Sequence, residues 1–153
     1  MMTRVYLDNC CYNRPYDDQS QLRISLESQA KLHVQEMIRE NKLELAASYM
    51  LSFENSRNRF EIKRKAIEQF LEENTSVYVD ETRQGEVEPL AQEINATGVK
   101  SADSIHAACA IIAQCDYLLT TDDRLLKYKT DRIQIVDPTE FIRVTGGAED
   151  EHN

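Results

Sequence analysis

The segment KSADSIHAACAIIAQCDYLLTTDDRLLK, residues 100–127, constrains the fold more than any other part of the chain. From Ala102 to Ala113 apolar residues surround almost the whole of a predicted helix, a pattern typical of a helix that is buried on all sides. The run Tyr117–Thr120 then predicts a short buried strand, which leads directly into Asp122 and Asp123. Open α/β sheets bind ligands at the carboxyl ends of their strands, so this order places candidate chemistry at that edge.

The rest of the chain alternates strand and helix patterns. The clearest helix runs from Gln19 to about Lys42, with Asp18 as its expected cap, and Ser101 is the expected N-cap of the buried helix after Gly98. The predicted strands are Val5–Leu7, Leu43–Ala47, Ser76–Val79, Tyr117–Thr120 and Ile133–Val136. Strands that alternate with helices indicate βαβ units, and we therefore expect a three-layer α/β/α fold with a central parallel sheet.

The length of 153 residues suits a single domain, which we expect to span residues 3–142. The acidic segment 143–153 is expected to be a disordered tail. No stretch approaches the ~20 apolar residues of a membrane span, and the start of the chain lacks a signal-peptide pattern. These features predict a cytoplasmic protein without a membrane partner.

The formal net charge of −9 argues against a broad electrostatic grip on nucleic acid. Any polyanionic substrate would have to be held by metal ions and a few local bases. The four cysteines are Cys10, Cys11, Cys109 and Cys115. All lie in or beside apolar runs without Cys-x-x-Cys spacing, so we expect buried reduced thiols and no zinc site, with His33 and His106 as packing or surface residues.

Four acidic residues have positions that can converge. Asp8 ends the first strand and Asp122 ends the strand after the buried helix, while Asp103 lies in the first turn of that helix. Glu54 lies one turn into the helix that follows the second strand. The carboxyl ends of parallel strands share one edge of the sheet, so these side chains are expected to meet there.

Such a cluster needs protons or a cation, because two carboxylates ~4 Å apart repel by about 4 kcal/mol at an effective dielectric of 20. Oxygen ligands without imidazole or thiolate favour Mg²⁺ or Mn²⁺. A pair of such ions ~3.5–4 Å apart is suited to phosphodiester hydrolysis.

Each acid also has a structural explanation. Asp103 would complement a helix N-terminus, Asp122 would cap the next helix, Asp8 would cap a loop, and Glu54 would pair with Arg57 on the surface. Asp103 fits its structural explanation least well, because an acid on an otherwise apolar helix face costs free energy unless something compensates it.

The order YLDNCC, SFENSRN, KSADSIHAACAI and LLTTDDRLLK resembles that of PIN domains, the nuclease fold of VapC-type toxins in toxin–antitoxin pairs. The resemblance covers roughly Thr3 to Ile142. It is carried by the ordered set, above all by the Ala-rich helix headed by Asp103 and the Thr-x-Asp after the following strand.

The resemblance implies a Mg²⁺- or Mn²⁺-dependent endoribonuclease that hydrolyses single-stranded RNA and leaves a 5′-phosphate and a 3′-hydroxyl. It implies Asp8, Glu54 and Asp103 as metal ligands and catalytic residues, with Asp122 as the fourth acid and Thr120 orienting that strand end. It also implies a homodimer and an antitoxin protein as partner. The alternative is a catalytically weak PIN-like module that binds another protein, which the unusual sequence Asn9-Cys10-Cys11 and the acidic charge favour.

Overall fold

The protein is built around one five-stranded sheet in which every pair of neighbouring strands is parallel. The computed structural model describes the backbone of residues 2–151 and the side chains of residues 2–145. The strands are β1 (Arg4–Leu7), β2 (Glu44–Ser48), β3 (Thr75–Val79), β4 (Tyr117–Leu119) and β5 (Gln134–Val136). Their spatial order is β3-β2-β1-β4-β5, which confirms the predicted parallel α/β sheet.

Helices connect the strands, as the alternation of patterns predicts. They are α1 (Asn9–Asn13), α2 (Leu22–Arg39), α3 (Tyr49–Ser56), α4 (Glu61–Asn74), α5 (Gln84–Asn95), α6 (Ser101–Ile112), α7 (Asp123–Leu126) and α8 (Pro138–Glu151). Short 3₁₀ turns follow α1 and precede α5, at Arg14–Tyr16 and Glu81–Arg83. Helix α2 packs against α8, and α5 packs against α6.

The strand order makes a crevice at the centre of the sheet. After β1 the chain moves outward through β2 to β3, and it then returns to the other side of β1 to form β4. The carboxyl ends of β1 and β4 therefore flank the point where the winding reverses, which is where doubly wound sheets bind ligands. Leu7 is in register with Leu119, so the residues that follow these two strands emerge together.

Strand β1 lies in the middle of the core, with Val5, Tyr6 and Leu7 fully buried. Helix α6 is buried along most of its length, as its small apolar residues predict, and Ala107, Ala108 and Ala110 have no exposed surface. Alanines allow a helix to approach the sheet closely. The acidic first turn of α6 is thereby brought near the carboxyl edge of the sheet.

Two predicted helix starts are wrong. Helix α2 begins at Leu22 and not at Gln19, and its N-cap is Gln21, because the Asp18 side chain accepts a bond from the Ser20 N–H within the preceding turn. Helix α6 begins at Ser101 with Lys100 as N-cap, so Ser101 is its first helical residue and not its cap.

Helix α8, Pro138–Glu151, extends well beyond the short final helix expected from the sequence. The helix includes residues from the predicted acidic tail, 143–153, and the division between domain and tail remains a prediction. Among residues 2–151, none of the helices has the length and apolar character that crossing a lipid bilayer requires.

Candidate metal centre

The four acids predicted from the sequence line one pocket of about 180 Å³ at the carboxyl edge of the sheet. They reach it from four separate elements: the ends of β1 and β4, and the helices α3 and α6. The full lining consists of Asp8, Asn9, Cys10, Glu54, Asp103, His106 and Asp122. The sequence therefore predicted the convergence of the acids but not the presence of Cys10 and His106.

Asp8 is the most buried acid of the pocket, with 3% of its surface exposed. It follows β1 and is the N-cap of α1. Its Oδ1 accepts a bond from the Cys10 thiol at 2.6 Å and one from the Cys11 N–H at 3.3 Å, while Oδ2 accepts a bond from the Thr120 hydroxyl at 2.5 Å. These donors fix the orientation of the carboxylate, but burial still raises the pKa of Asp8 well above its usual range.

Glu54 enters the pocket from α3, whose N-cap is Ser48 at the end of β2. Its Oε1 lies 2.5 Å from Nε2 of His106, a buried residue of α6. The prediction that Glu54 pairs with Arg57 finds no support among the described ion pairs, in which Glu54 contacts only His106.

Asp103 lies in the first turn of α6 and is partly buried. Burial raises the pKa of its carboxyl group, and the nearby negative charge of Asp122 raises it further. Within the described hydrogen-bond network, the carboxylate of Asp103 accepts no bond. Among the described residues it therefore has the fewest hydrogen-bond donors of the four acids, and the nearby charge of Lys100 offsets part of its own.

Asp122 follows β4 and is the N-cap of α7, where its Oδ1 accepts bonds from the N–H groups of Arg124 at 2.8 Å and Leu125 at 3.2 Å. The expected helix-capping role is thus real, but it uses one carboxylate oxygen only. The neighbouring Asp123 points away from the pocket and forms an exposed ion pair with Arg23 at 2.8 Å. The geometry separates the two adjacent acids, since Asp122 lines the pocket and Asp123 does not; the choice of Asp122 as a metal ligand remains a prediction.

Thr120 makes hydrogen bonds at the ends of both β1 and β4, whereas the resemblance implies only that it orients the end of its own strand. Its hydroxyl donates to Asp8 and accepts a bond from the backbone N–H of Asp122 at 3.1 Å. One fully buried side chain therefore sets the positions of two acids that lie far apart in sequence.

The carboxylate oxygens of this pocket are donors of the kind that a hard divalent cation binds. Burial raises the pKa values of both Asp8 and Asp103, and the negative charges of Asp122 and Glu54 raise that of Asp103 further. Glu54 and Asp122 each use only one oxygen for the hydrogen bonds found among the described residues. Such oxygens are the ligands that Mg²⁺ and Mn²⁺ prefer, and Mg²⁺ usually keeps several waters, which suits acids spread around a small pocket.

Among the described residues, the one group of three candidate ligand atoms within 4.8 Å of one another comes from Asp8, Cys10 and Cys11. The four acids therefore line the same pocket without bringing three carboxylates that close together. The Cys11 thiol is fully buried and donates to the carbonyl of Leu119 at 3.3 Å. The cysteines are free, as expected, but Cys10 is only partly buried and forms part of the pocket wall.

The link between His106 and Glu54 was not predicted from the sequence, in which His106 was expected to be a packing or surface residue. The available signal was the three-residue spacing from Asp103, which places both side chains on one face of the helix. His33, by contrast, is exposed on α2, as expected.

No family model and no curated protein matches this sequence. Among solved structures, the chain is similar to one in the crystal structure of VapBC2 from Rickettsia felis bound to a DNA fragment from their promoter. The TM-score is 0.55 and the identity 14%, over 87% of this chain and 97% of that chain. It is also similar to a chain of FitAcB from Neisseria gonorrhoeae, with a TM-score of 0.51 and 15% identity over 88% of this chain and 97% of that chain.

At such identities the likeness concerns the fold alone. The protein has a PIN-like fold, as the resemblance in its sequence implies.

Proposed function

We propose that this protein is a metal-dependent endoribonuclease that hydrolyses phosphodiester bonds of single-stranded RNA. One observation carries the proposal: four carboxylates from four different elements meet in a single pocket at the switch point of a PIN-like sheet. The resemblance of the sequence to VapC-type toxins supports the choice of RNA as substrate.

In this proposal Asp8, Glu54, Asp103 and Asp122 hold Mg²⁺ or Mn²⁺. Bound ions of this kind neutralise phosphate charge and lower the pKa of water. The protein's own contribution is orientation, since Thr120 and the Cys10 thiol hold the Asp8 carboxylate from both sides.

A group of basic side chains follows Asp122 in the sequence. Arg124 follows Asp122 by two residues, and it lines a pocket of about 250 Å³ together with Lys127 and Lys129. All three side chains are exposed. They supply phosphate contacts on a protein whose net charge would otherwise repel RNA.

The direct test is cleavage of a fluorescent single-stranded RNA by protein freed of contaminating nucleases, with EDTA, Mg²⁺ or Mn²⁺. Asp103→Asn is expected to abolish cleavage while the protein stays folded. The matched control is Asp131→Asn, which neutralises an exposed acid outside the pocket and should leave cleavage unchanged. Equal Mn²⁺-dependent cleavage by Asp103→Asn and the wild type would refute the proposed site.

We further propose an antitoxin-type protein partner and a homodimer. The partner is supported by the exposed apolar side chains of Tyr16, Phe60 and Ile62, which are 50%, 69% and 86% exposed. They border a groove of about 620 Å³ together with Arg59, Glu61 and Lys63. Exposed apolar side chains grouped in this way are typical of protein-binding surfaces.

The same surface favours the second candidate function, a PIN-like binding module with little turnover. Calorimetric titration with Mn²⁺ separates the two, because a degenerate site would bind no divalent ion tightly. Sedimentation velocity of the purified chain tests the homodimer separately.

A further inference from the structure

A line of buried polar side chains runs from the middle of the sheet to the acidic pocket. The Ser48 hydroxyl at the end of β2 lies 2.6 Å from the Tyr6 hydroxyl on β1, and that hydroxyl lies 2.7 Å from Nδ1 of His106 on α6. Nε2 of the same ring lies 2.5 Å from Oε1 of Glu54 on α3. Ser48 and Tyr6 are fully buried, and His106 is 2% exposed.

The hydrogen bonds of this line have a consistent direction when Glu54 is ionised. A carboxylate only accepts, so Nε2–H of His106 must donate to it. In the neutral ring Nδ1 then accepts from the Tyr6 hydroxyl, whose oxygen accepts from Ser48. The Ser48 oxygen also accepts the N–H of Leu51, within the cap of α3. Each polar group in the line thus has a partner.

Such an arrangement is not what packing alone favours. Phenylalanine in place of Tyr6 and leucine in place of His106 would fill the same space without polar groups that need hydrogen-bond partners in the core. Buried networks in which every polar group has a partner are often no more stable than apolar replacements. The line ends at one partly exposed group, the Glu54 carboxylate in the pocket. The geometry therefore suggests a role that is exerted at Glu54.

We propose that His106 is a positioning residue for Glu54. It holds Oε1, so that Glu54 presents its other oxygen to a divalent cation, while Tyr6 and Ser48 fix the plane of the ring. The line also joins the ends of β1 and β2 to α3 and α6, the elements that carry three of the four acids. This inference rests on the proposed function, because it concerns how one proposed ligand is held.

The experiment measures Mn²⁺ affinity in the absence of RNA, by calorimetry and by the electron paramagnetic resonance signal of free Mn²⁺. Loss of a hydrogen-bond partner behind a metal ligand typically weakens metal affinity by about 10–100-fold, and we expect this for His106→Leu. His106→Gln retains an N–H donor that can reach Glu54 and should recover part of the loss. The control, His33→Leu, removes an exposed histidine and should change nothing.

A double-variant cycle shows whether His106 acts through Glu54. If it does, His106→Leu combined with Glu54→Gln should bind Mn²⁺ no more weakly than Glu54→Gln alone, because the interaction has already been lost. If the fold losses of Mn²⁺ affinity in the two single variants multiply in the double variant, His106 acts independently of Glu54, and the inference is overturned. Unchanged affinity in a folded His106→Leu protein would overturn it as well.

Tyr6→Phe keeps the inference testable if His106→Leu does not fold, because this change keeps the ring volume and removes only the hydroxyl bonded to His106. We expect affinity to fall about fivefold, the equivalent of one lost buried hydrogen bond. Unchanged affinity in this variant would overturn the part assigned to Tyr6 and Ser48.

A metal-free readout is the ¹⁵N shifts of the His106 ring, which should show a proton on Nε2. A neutral ring protonated on Nδ1 alone would overturn the proposed direction of the bonds. Wild-type protein that binds no Mn²⁺ would overturn the proposed function and this inference together. Wild-type binding that depends on Glu54 but not on His106 would overturn this inference alone.

Discussion

Replacing Asp103 by asparagine should make the metal-free protein more stable, although the same change is expected to destroy its activity. The Asp103 carboxylate has a pKa raised first by burial and then by Asp122. Its ionised form is thus unfavourable in the folded state without a cation. Asparagine has nearly the same shape and no charge, so it removes the repulsion while leaving the packing of α6 unchanged.

The size of the pocket sets the magnitude of this effect. Two unit charges on opposite walls of a pocket of 180 Å³, about 7 Å across if spherical, repel by about 2 kcal/mol at an effective dielectric of 20. A Debye length of ~8 Å at physiological salt reduces this to about 1 kcal/mol for each pair. Asp103 faces at least Asp122 and Glu54, and asparagine gives up about 0.3–1 kcal/mol of attraction to the helix N-terminus. The net gain is about 1 kcal/mol, or ~2–4 °C in Tm for a domain of this size.

Differential scanning calorimetry in EDTA and in excess Mn²⁺ provides the assay, with Asp131→Asn as the control. Mn²⁺ at a hundred times its Kd should stabilise the wild type by about 2.7 kcal/mol, roughly 5–10 °C, and should stabilise Asp103→Asn far less. Asp103→Asn should therefore have the higher Tm in EDTA, and the wild type should have the higher Tm in excess Mn²⁺. A lower Tm for Asp103→Asn than for the wild type in EDTA would refute the reasoning, because it would mean that Asp103 mainly stabilises the start of α6.

Three further results are expected. Asp122→Asn should lose RNA cleavage with little net change in Tm. Asparagine caps α7 as well as aspartate does, and the relief of about 1 kcal/mol of repulsion with Asp103 is offset by the loss of about 0.3–1 kcal/mol of attraction to the start of α7. Asp123→Asn should retain cleavage, and loss of cleavage in Asp123→Asn but not in Asp122→Asn would contradict the assignment. Lys31→Met should raise Tm at pH 7 by removing a penalty of up to about 3 kcal/mol, because burial lowers the pKa of Lys31 to about 8. The folded wild type then binds fewer protons than the unfolded chain between about pH 8 and 10, so its free energy of unfolding should rise through that window. A difference in the free energy of unfolding between the wild type and Lys31→Met that stays constant over this range would contradict the prediction. Gly98→Ala should lower the free energy of unfolding, measured with urea, by about 1–2 kcal/mol. Gly98 has φ 107°, and a Cβ at this position would meet no atom within 4 Å, so backbone strain is the only penalty of the substitution.

The sequence predicted the elements that have a strong repeating pattern. Buried strands such as Val5–Leu7 and the Ala-rich helix α6 have hydrophobic patterns that are compatible with one type of secondary structure only. The predicted strand ends lie within a few residues of the observed ones. Helix starts were less predictable, because they depend on competing local bonds. Asp18 was a reasonable cap for α2, but it closes a turn with Ser20 instead.

The candidate site likewise has features that could be predicted from the sequence and features that could not. Acids at strand ends could be placed from topology, because parallel strands share an edge whatever the details of packing. The contact between His106 and Glu54 could not be placed in this way, since it depends on the distance between α3 and α6 and on a tyrosine buried in the sheet. No periodicity in the chain encodes that distance.

Capping and metal binding, which the sequence presents as competing explanations of the acids, are compatible in the structure. Asp8 and Asp122 each end a strand and cap the helix that follows, and capping uses bonds to one oxygen of each carboxylate. Ser48 caps α3 in the same way at the end of β2 with a neutral side chain, and the acid of that element, Glu54, lies six residues later in the helix. A neutral cap such as serine or asparagine would serve all three helices equally well. Capping therefore explains where Asp8 and Asp122 stand but not why they are charged. Asp103 lines the same pocket, and the repulsion between its carboxylate and that of Asp122 makes their charges more unfavourable still unless a cation is bound.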